Sequence, residues 1–238
     1  GEFVAAGADI NYDTEDELTV NAINAFAQQL GFVSGKESSV NPGSGKGFIF
    51  TADGNLAAEE YEIHVRKQKV EVKASTFNGF NYALQTLRQL LPVEIYGSEP
   101  APEVKWTIQC IDIKDAPRFA YRALMMDVAR HFFTVDEVKH FIDIAELHKM
   151  NTLHWHLTDD QGWRIECETY PELTKVGAYR DCHGFRSKDG REYGGYYTKD
   201  EIRDIIAFCE ERYIEVIPEI DMPGHTTAIV ASYPRLSC

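Results

Sequence analysis

The stretch TVDEVKHFIDIAELHKMNTLHWHLTDD, residues 134–160, has the pattern of a helix, a strand and two carboxylates in that order. Thr134 and Glu137 match a capping box, in which a threonine hydroxyl and a glutamate side chain bind free N–H groups of a first helical turn. Apolar residues at helical spacing follow: Val135, Val138, Phe141, Ile142 and Ala145. The apolar segment 151–157 then predicts a strand that ends at Asp159.

The same plan recurs in TKDEIRDIIAFCEERYIEVIPEID, residues 198–221. Thr198 and Glu201 form a second capping-box pattern, and a second strand runs into Asp221. Another strand pattern, YRALMMD at residues 121–127, precedes the first helix. Strands separated by helices pair in parallel through right-handed crossovers, which is typical of an α/β barrel or of a doubly wound sheet.

The first hundred or so residues instead predict an α+β domain. Leu18–Gly31 has helical spacing and stops at a glycine, residues 61–75 alternate like a hairpin with one buried face, and residues 79–92 form a helix ended by Pro92. Prolines in SEPAPEV and KDAPRF mark a passage between domains. We therefore predict one domain at residues 1–115 and a second at residues 116–238.

Composition excludes several classes of function. The 238 residues carry 38 acidic and 24 basic side chains, a net charge of −14, which repels nucleic acid and anionic lipid. Since no run of about 18 apolar residues exists, we predict no membrane span. The five cysteines lack C-x-x-C spacing and indicate neither a zinc knuckle nor a dense disulfide framework.

Each of the three predicted parallel strands ends in charged or titratable residues. In both candidate architectures, ligands bind where parallel strands end at their carboxyl side. We therefore predict a site at one rim of the fold, built from these pairs: Asp127 with Arg130, Asp159 with Asp160, and Asp221 with His225.

Individual residues at this rim admit two interpretations. Arg130 is either a structural ion-pair partner or a planar fork of donors that grips vicinal hydroxyls or a carboxylate. Asp159 and Asp160 are adjacent, so in extended backbone only one of them can face the site. His225 follows a Pro-Gly turn and is either a proton-transfer partner oriented by a carboxylate or a loop histidine without a role.

A metal site is a further alternative. His154 and His156 lie on one face of a strand, because side chains alternate, and Asp221 could join them as ligands of a metal-dependent hydrolase. Two buried, hydrogen-bonded histidines are the simpler interpretation. We therefore predict no metal and no cofactor.

Residues 124–166 and 194–225, with the helix pattern FNGFNYALQTLRQLLP at 77–92, closely resemble glycoside hydrolase family 20, the exo-acting β-N-acetylhexosaminidases. The resemblance implies that residues 1 to about 115 are the non-catalytic α+β domain of that family. It also implies that residues 116–238 are the first three βα units of a (β/α)8 TIM barrel, and therefore an incomplete barrel.

The resemblance also implies roles for single residues. Arg130 would bind hydroxyls of the terminal sugar, Asp159 and His225 would form a relay supporting the catalytic acid, and Asp221 would be a rim residue of less defined role. Hydrolysis in the family retains configuration without an enzyme nucleophile, because the 2-acetamido oxygen of the substrate attacks the anomeric carbon.

The family's catalytic Asp-Glu pair occurs in an H-x-G-G-D-E motif that this sequence lacks. We expect that pair beyond Cys238 and expect this chain alone to be inactive. The expected partners are glycans ending in N-acetylglucosamine or N-acetylgalactosamine, in an extracytoplasmic compartment. A non-catalytic glycan-binding or scaffold fragment is the alternative, and the residues leave the oligomeric state and sugar preference open.

Overall fold

The computed structural model describes residues 1–180 and 193–237. It divides into two compact units, Gly1–Ala120 and Tyr121–Cys238, where the sequence placed the boundary at residue 115. Among the described residues, Cys110, Cys167 and Cys209 are free thiols, and no helix is both long and apolar enough to span a bilayer. Cys182 and Cys238 lie outside the described residues.

The first unit is built on a six-stranded mixed sheet in the order β3-β2-β4-β6-β5-β8, beside a two-stranded antiparallel pair, β1-β7. Strands β2, β3, β4 and β6 run parallel, while β5 is antiparallel to both of its neighbours. Its strands are β1 Glu2–Val4, β2 Ile10–Asp13, β3 Val40–Pro42, β4 Gly47–Ala52, β5 Tyr61–Arg66, β6 Lys69–Ala74, β7 Thr107–Gln109 and β8 Asp112–Asp115. The predicted hairpin is confirmed as β5 and β6.

Two helices, α1 Glu17–Ser34 and α2 Phe77–Leu90, share one buried core with this sheet, and a 3-10 turn, Val93–Tyr96, follows α2. The prediction that the first helix ends at Gly31 is wrong, because the left-handed cap is Gly35, with φ 68°. Val33 and Ser34 are buried, so a further turn of α1 packs against the unit before the chain turns.

The second unit holds three parallel strands in the order β15-β10-β9 among its described residues. Its strands are β9 Ala123–Asp127, β10 Thr152–His156, β11 Thr158–Asp159, β12 Gly162–Trp163, β13 Tyr179–Arg180, β14 Tyr193–Gly194 and β15 Glu215–Glu219. Its helices are α3 Val135–Leu147, α4 Glu172–Lys175, α5 Lys199–Glu210 and α6 Thr227–Ser232, and a 3-10 turn covers Pro234–Leu236.

Both predicted capping boxes are confirmed. In α3 and α5 the threonine hydroxyl accepts from the backbone N–H of the glutamate three residues later, and the glutamate carboxylate accepts from the threonine backbone. The two helices belong to one buried cluster with Leu153 and Trp155 of β10. Alternation along β10 therefore sends His154 and His156 to the other face of the sheet.

The strand predicted to end at Asp159 is interrupted. Strand β10 ends at His156, and Thr158–Asp159 pair antiparallel with Gly162–Trp163 as a separate small hairpin, β11-β12. The backbone N–H of Arg164 donates to the carbonyl of Leu157, so the chain returns alongside the end of β10. Asp159 is therefore carried by a hairpin at the strand end rather than by the parallel sheet itself.

Candidate active site

A single row of polar residues crosses the carboxyl ends of the three parallel strands. Asp127, His156 and Glu219 are register partners on β9, β10 and β15. In-register residues of neighbouring strands point to the same face of a sheet, so the three side chains meet there. Sequence reasoning missed Glu219, because the register that sets it beside His156 is a property of the folded sheet.

Arg130 is held in place by two carboxylates. Asp127 Oδ1 accepts from the backbone N–H groups of Ala129 and Arg130, at 3.0 and 2.9 Å, and Asp127 Oδ2 accepts from Arg130 Nη1 at 2.6 Å. Arg130 Nη2 lies 2.7 Å from Asp159 Oδ2, and 43% of the Arg130 side chain stays exposed. The guanidinium is therefore oriented on one side and open to a ligand on the other.

The pairing of Asp127 with Arg130 shifts the pKa of each group in the direction that favours its charged form. Burial works to raise the pKa of Asp127, but hydrogen bonds from the backbone and side chain of Arg130 outweigh it and lower that pKa. The hydrogen bond to Asp127 raises the pKa of Arg130 further above its usual range. Both groups are therefore charged across the neutral range.

Asp159 lies at the centre of this candidate site and is 2% exposed. Its Oδ2 faces His156 Nε2 at 2.9 Å as well as Arg130. Its Oδ1 accepts from the backbone N–H of Asp160 at 2.7 Å and lies 3.2 Å from His225 Nδ1. Four nitrogens thus surround Asp159, as many as the lone-pair positions that a carboxylate offers.

Asp160 points elsewhere, as its adjacency to Asp159 requires. One of its oxygens, Oδ1, accepts from the backbone N–H of Thr227 at 3.0 Å and from the Thr227 hydroxyl at 2.7 Å. These hydrogen bonds lower the pKa of Asp160. Asp160 thus ties the β11-β12 hairpin to the start of α6, the segment that directly follows His225.

His225 occupies the left-handed region, with φ 53°, directly after Pro223 and Gly224. Non-glycine residues rarely adopt this conformation, and they persist in it where the surroundings hold them. Here Nδ1 faces Asp159 at 3.2 Å and Asp160 at 3.7 Å, while 54% of the side chain is exposed. The opposite ring atom, Nε2, is therefore the one available to a ligand.

His154 and His156 both contact Glu219. Glu219 Oε2 lies 2.6 Å from His154 Nε2 and 2.7 Å from His156 Nδ1. Among the described residues Glu219 Oε2 has no partner with hydrogen-bond geometry, so both histidines contact it closely without a regular hydrogen bond. Burial lowers the pKa of His156, but the carboxylates of Glu219 and Asp159 outweigh that effect and raise it above its usual value.

Within the described part of the chain, two groups offer three metal-ligand atoms each within 4.8 Å: His156 with Glu219 and Asp221, and Asp159 with Asp160 and His225. The combination of His154, His156 and Asp221 considered from the sequence is not among them. In both groups a histidine nitrogen faces a carboxylate oxygen at 2.7 or 3.2 Å. A hydrogen on the ring nitrogen that faces the carboxylate accounts for each contact.

Arg164 fixes the segment that leads to Arg130. Its fully buried guanidinium donates to backbone carbonyls at 2.5–3.0 Å: those of Val128, Ala129, Ala178 and Gly195. Burial lowers the pKa of the Arg164 guanidinium to about 10. A Cβ at Gly162 would lie 2.3 Å from this guanidinium, so a larger residue there would push Arg164 away from its carbonyl partners. Sequence reasoning assigned Arg164 no role, since its four acceptors are backbone atoms of distant segments.

Residues 119–238 match the family described as glycosyl hydrolase family 20, catalytic domain, and residues 1–116 match glycosyl hydrolase family 20, domain 2. The chain is 44% identical to a beta-hexosaminidase of Porphyromonas gingivalis over 183 residues, which are 77% of this chain and 23% of that protein. It is 39% identical over 192 residues to the N,N'-diacetylchitobiase of Vibrio harveyi and spans 21% of that protein.

Two solved structures are similar over nearly the whole chain. One is the exo beta-N-acetylglucosaminidase of Vibrio harveyi in complex with N-acetylglucosamine, at 38% identity and a TM-score of 0.83, covering 99% of this chain and 36% of that one. The other is a mutant beta-hexosaminidase of Streptomyces plicatus in complex with the product GlcNAc, at 35% identity and a TM-score of 0.90. This chain covers 46% of the latter.

Proposed function

Because this chain belongs to glycosyl hydrolase family 20, we propose that it provides the sugar-binding half of an exo-β-N-acetylhexosaminidase active site. The whole protein would hydrolyse terminal β-linked N-acetylglucosamine or N-acetylgalactosamine from glycans. The three parallel strands would be the first strands of a (β/α)8 barrel, and the site would lie at their carboxyl ends, as in other barrels of this kind. By family resemblance alone, we place this activity outside the cytoplasm.

One observation carries the proposal: Arg130 and His225 both contact Asp159 at a single rim. Arg130 Nη2 lies 2.7 Å from Asp159, and His225 Nδ1 lies 3.2 Å from it. A guanidinium fixed by carboxylates on one side keeps N–H donors for vicinal sugar hydroxyls on the other. With these free N–H donors, Arg130 would hold a terminal sugar beside His225.

The chemistry would be substrate-assisted. The 2-acetamido oxygen of the substrate attacks the anomeric carbon while a carboxylic acid protonates the leaving oxygen, and configuration is retained. Asp159 would orient His225, whose Nε2 would support that acid. The acid itself belongs to the H-x-G-G-D-E motif, which the 238 residues do not contain.

The test is hydrolysis of p-nitrophenyl N-acetyl-β-glucosaminide by the whole protein and by its Arg130→Lys variant. Lysine keeps the charge but loses the planar fork, so we expect kcat/KM to fall by about 100-fold or more, equivalent to about 3 kcal/mol. Arg203→Lys is the control, because Arg203 is exposed and pairs with Asp200 on the same helix, α5. Equal activity of Arg130→Lys and Arg203→Lys would refute the assigned role.

A second candidate function, glycan binding without hydrolysis by residues 1–238 alone, is favoured by one specific observation. The sequence contains Arg130, Asp159 and His225 but no H-x-G-G-D-E motif. We expect this chain by itself to release no p-nitrophenol, and calorimetric titration with N-acetylglucosamine to report weak binding that Arg130→Lys abolishes. Turnover in proportion to the concentration of the purified chain would exclude this candidate.

A further inference from the structure

His156 joins two carboxylates that lie on different strands. Its Nε2 is 2.9 Å from Asp159 Oδ2 and its Nδ1 is 2.7 Å from Glu219 Oε2, while the side chain is only 4% exposed. A carboxylate beside each ring nitrogen favours a hydrogen on both, through a hydrogen bond to Asp159 at Nε2 and through charge attraction to Glu219 at Nδ1. An imidazole with hydrogen on both nitrogens is the imidazolium cation.

The charges around His156 favour this cation from every neighbouring element. Asp127 faces it from β9, Glu219 from β15 and Asp159 from the β11-β12 hairpin. Asp221 brings a further carboxylate oxygen within 4.8 Å. The opposing charge is Arg130, whose guanidinium is neutralised by Asp127 and Asp159. The local excess of carboxylates therefore favours a second positive charge at His156.

The arrangement also fixes the orientation of the Asp159 carboxylate. Oδ2 is bound by the two cationic groups, Arg130 and His156, whereas Oδ1 is bound by the Asp160 N–H and faces His225. Without His156, the buried Oδ2 would keep Arg130 alone, and the carboxylate could rotate toward other donors. Orientation of Oδ1 toward His225 thus depends on a residue that contacts neither His225 nor the exposed face of Arg130.

We propose that His156 is a positioning residue, held as an imidazolium between Asp159 and Glu219, that aims the Asp159 carboxylate at His225. The expected effect of His156 on catalysis rests on the proposed function, whereas the charge state of His156 does not. Glu219 contributes to this positioning, because it contacts Nδ1 on the side of the ring opposite Asp159. His154, the other partner of Glu219, sets the position of that carboxylate.

The first test is the protonation state of the ring in the whole protein, by NMR of 15N-labelled histidine at pH 7. The His156 signals are assigned by their loss in His156→Gln, with His140→Gln, an exposed position on α3, as the control substitution. We expect both ring nitrogens to carry hydrogen, and we expect Glu219→Gln to move the titration of this ring to lower pH. A neutral ring at pH 7 overturns the proposal.

The second test is the pH profile of hydrolysis. In His156→Gln we expect kcat to fall by about 10- to 100-fold with little change in KM, because the side chain acts on the transition state through Asp159. In Glu219→Gln the alkaline limb should move to lower pH, since loss of the carboxylate lets the imidazolium deprotonate sooner. A purely structural role predicts lower kcat with an unmoved profile, and that result contradicts the proposal.

The two tests separate failure of this inference from failure of the proposed function. If the wild-type protein does not hydrolyse the substrate but the ring carries both hydrogens, the hydrolase proposal fails and the assignment of His156 stands. If hydrolysis is observed and His156→Gln matches His140→Gln in kcat and pH profile, the function stands and this inference fails. Circular dichroism and thermal unfolding of each variant show whether it is folded before either result is read.

Discussion

Arg164 illustrates at the scale of one residue how the site depends on a group that touches no ligand. Its guanidinium is completely buried and donates to four backbone carbonyls, two of them at Val128 and Ala129 just before Arg130. A carbonyl buried without a donor costs about 1–3 kcal/mol. One side chain therefore satisfies acceptors from three separate segments.

We predict that Arg164→Met lowers the free energy of unfolding by about 3–5 kcal/mol, because methionine fills the space but leaves the carbonyls without donors. Denaturant unfolding followed by tryptophan fluorescence measures this change. Arg203→Met, an exposed substitution in the same unit, should stay within about 0.5 kcal/mol of wild type. If the two variants unfold at the same denaturant concentration, the anchoring role of Arg164 is wrong.

At the scale of the element, local sequence signals located the starts of helices better than the ends of strands. Both capping boxes are present as expected, since a threonine and a glutamate three residues apart interact within one helical turn. The helix end at Gly31 and the strand end at Asp159 were wrong, because packing of Val33 and pairing of β11 with β12 decided them. Those contacts are not local in sequence.

We predict that Thr134→Ala and Thr198→Ala each lower the free energy of unfolding by about 1 kcal/mol, because each removes a side-chain acceptor for the first turn of α3 or α5. Equilibrium unfolding measures the loss. Thr169→Ala, at an exposed position of the same unit, provides the reference. A loss at Thr169 as large as at the two caps would mean that capping is not its cause.

At the scale of the whole molecule, charge links stability to pH. The net charge is −14 and the sequence pI is about 5.0, so self-repulsion grows as pH rises above that value. Two partnered groups add to this trend. Asp127, with its lowered pKa, and His156, with its raised pKa, are bound more favourably as ions in the folded protein.

The sign of each effect follows from linkage. The contribution of Asp127 is present above its unfolded pKa of about 4 and is lost as pH falls through its lower folded pKa. That of His156 is complete below its unfolded pKa of about 6.5 and is lost as pH rises through its higher folded pKa. We predict greatest stability between about pH 4 and 6.5.

Thermal unfolding from pH 4 to 9 tests this prediction. The unfolding temperature should fall on the alkaline side, and His156→Gln should reduce that fall, because the titrating ring is gone. His140→Gln should retain the wild-type slope, since His140 is exposed. An unfolding temperature that rises steadily to pH 9 would contradict the assigned direction.

The sequence by itself determined what depends on short-range pattern: helix faces, capping boxes, the hairpin of the first unit, the parallel βα units, and the placement of Arg130, Asp159 and His225 at strand ends. The patterns that indicate helices, strands and caps involve residues two to four positions apart, so they can be recognised locally in the sequence. Tertiary structure alone decided the row of Asp127, His156 and Glu219, the four nitrogens around Asp159 and the carbonyl partners of Arg164. Each of these depends on strand register or on backbone atoms brought together from distant segments, which no local spacing encodes.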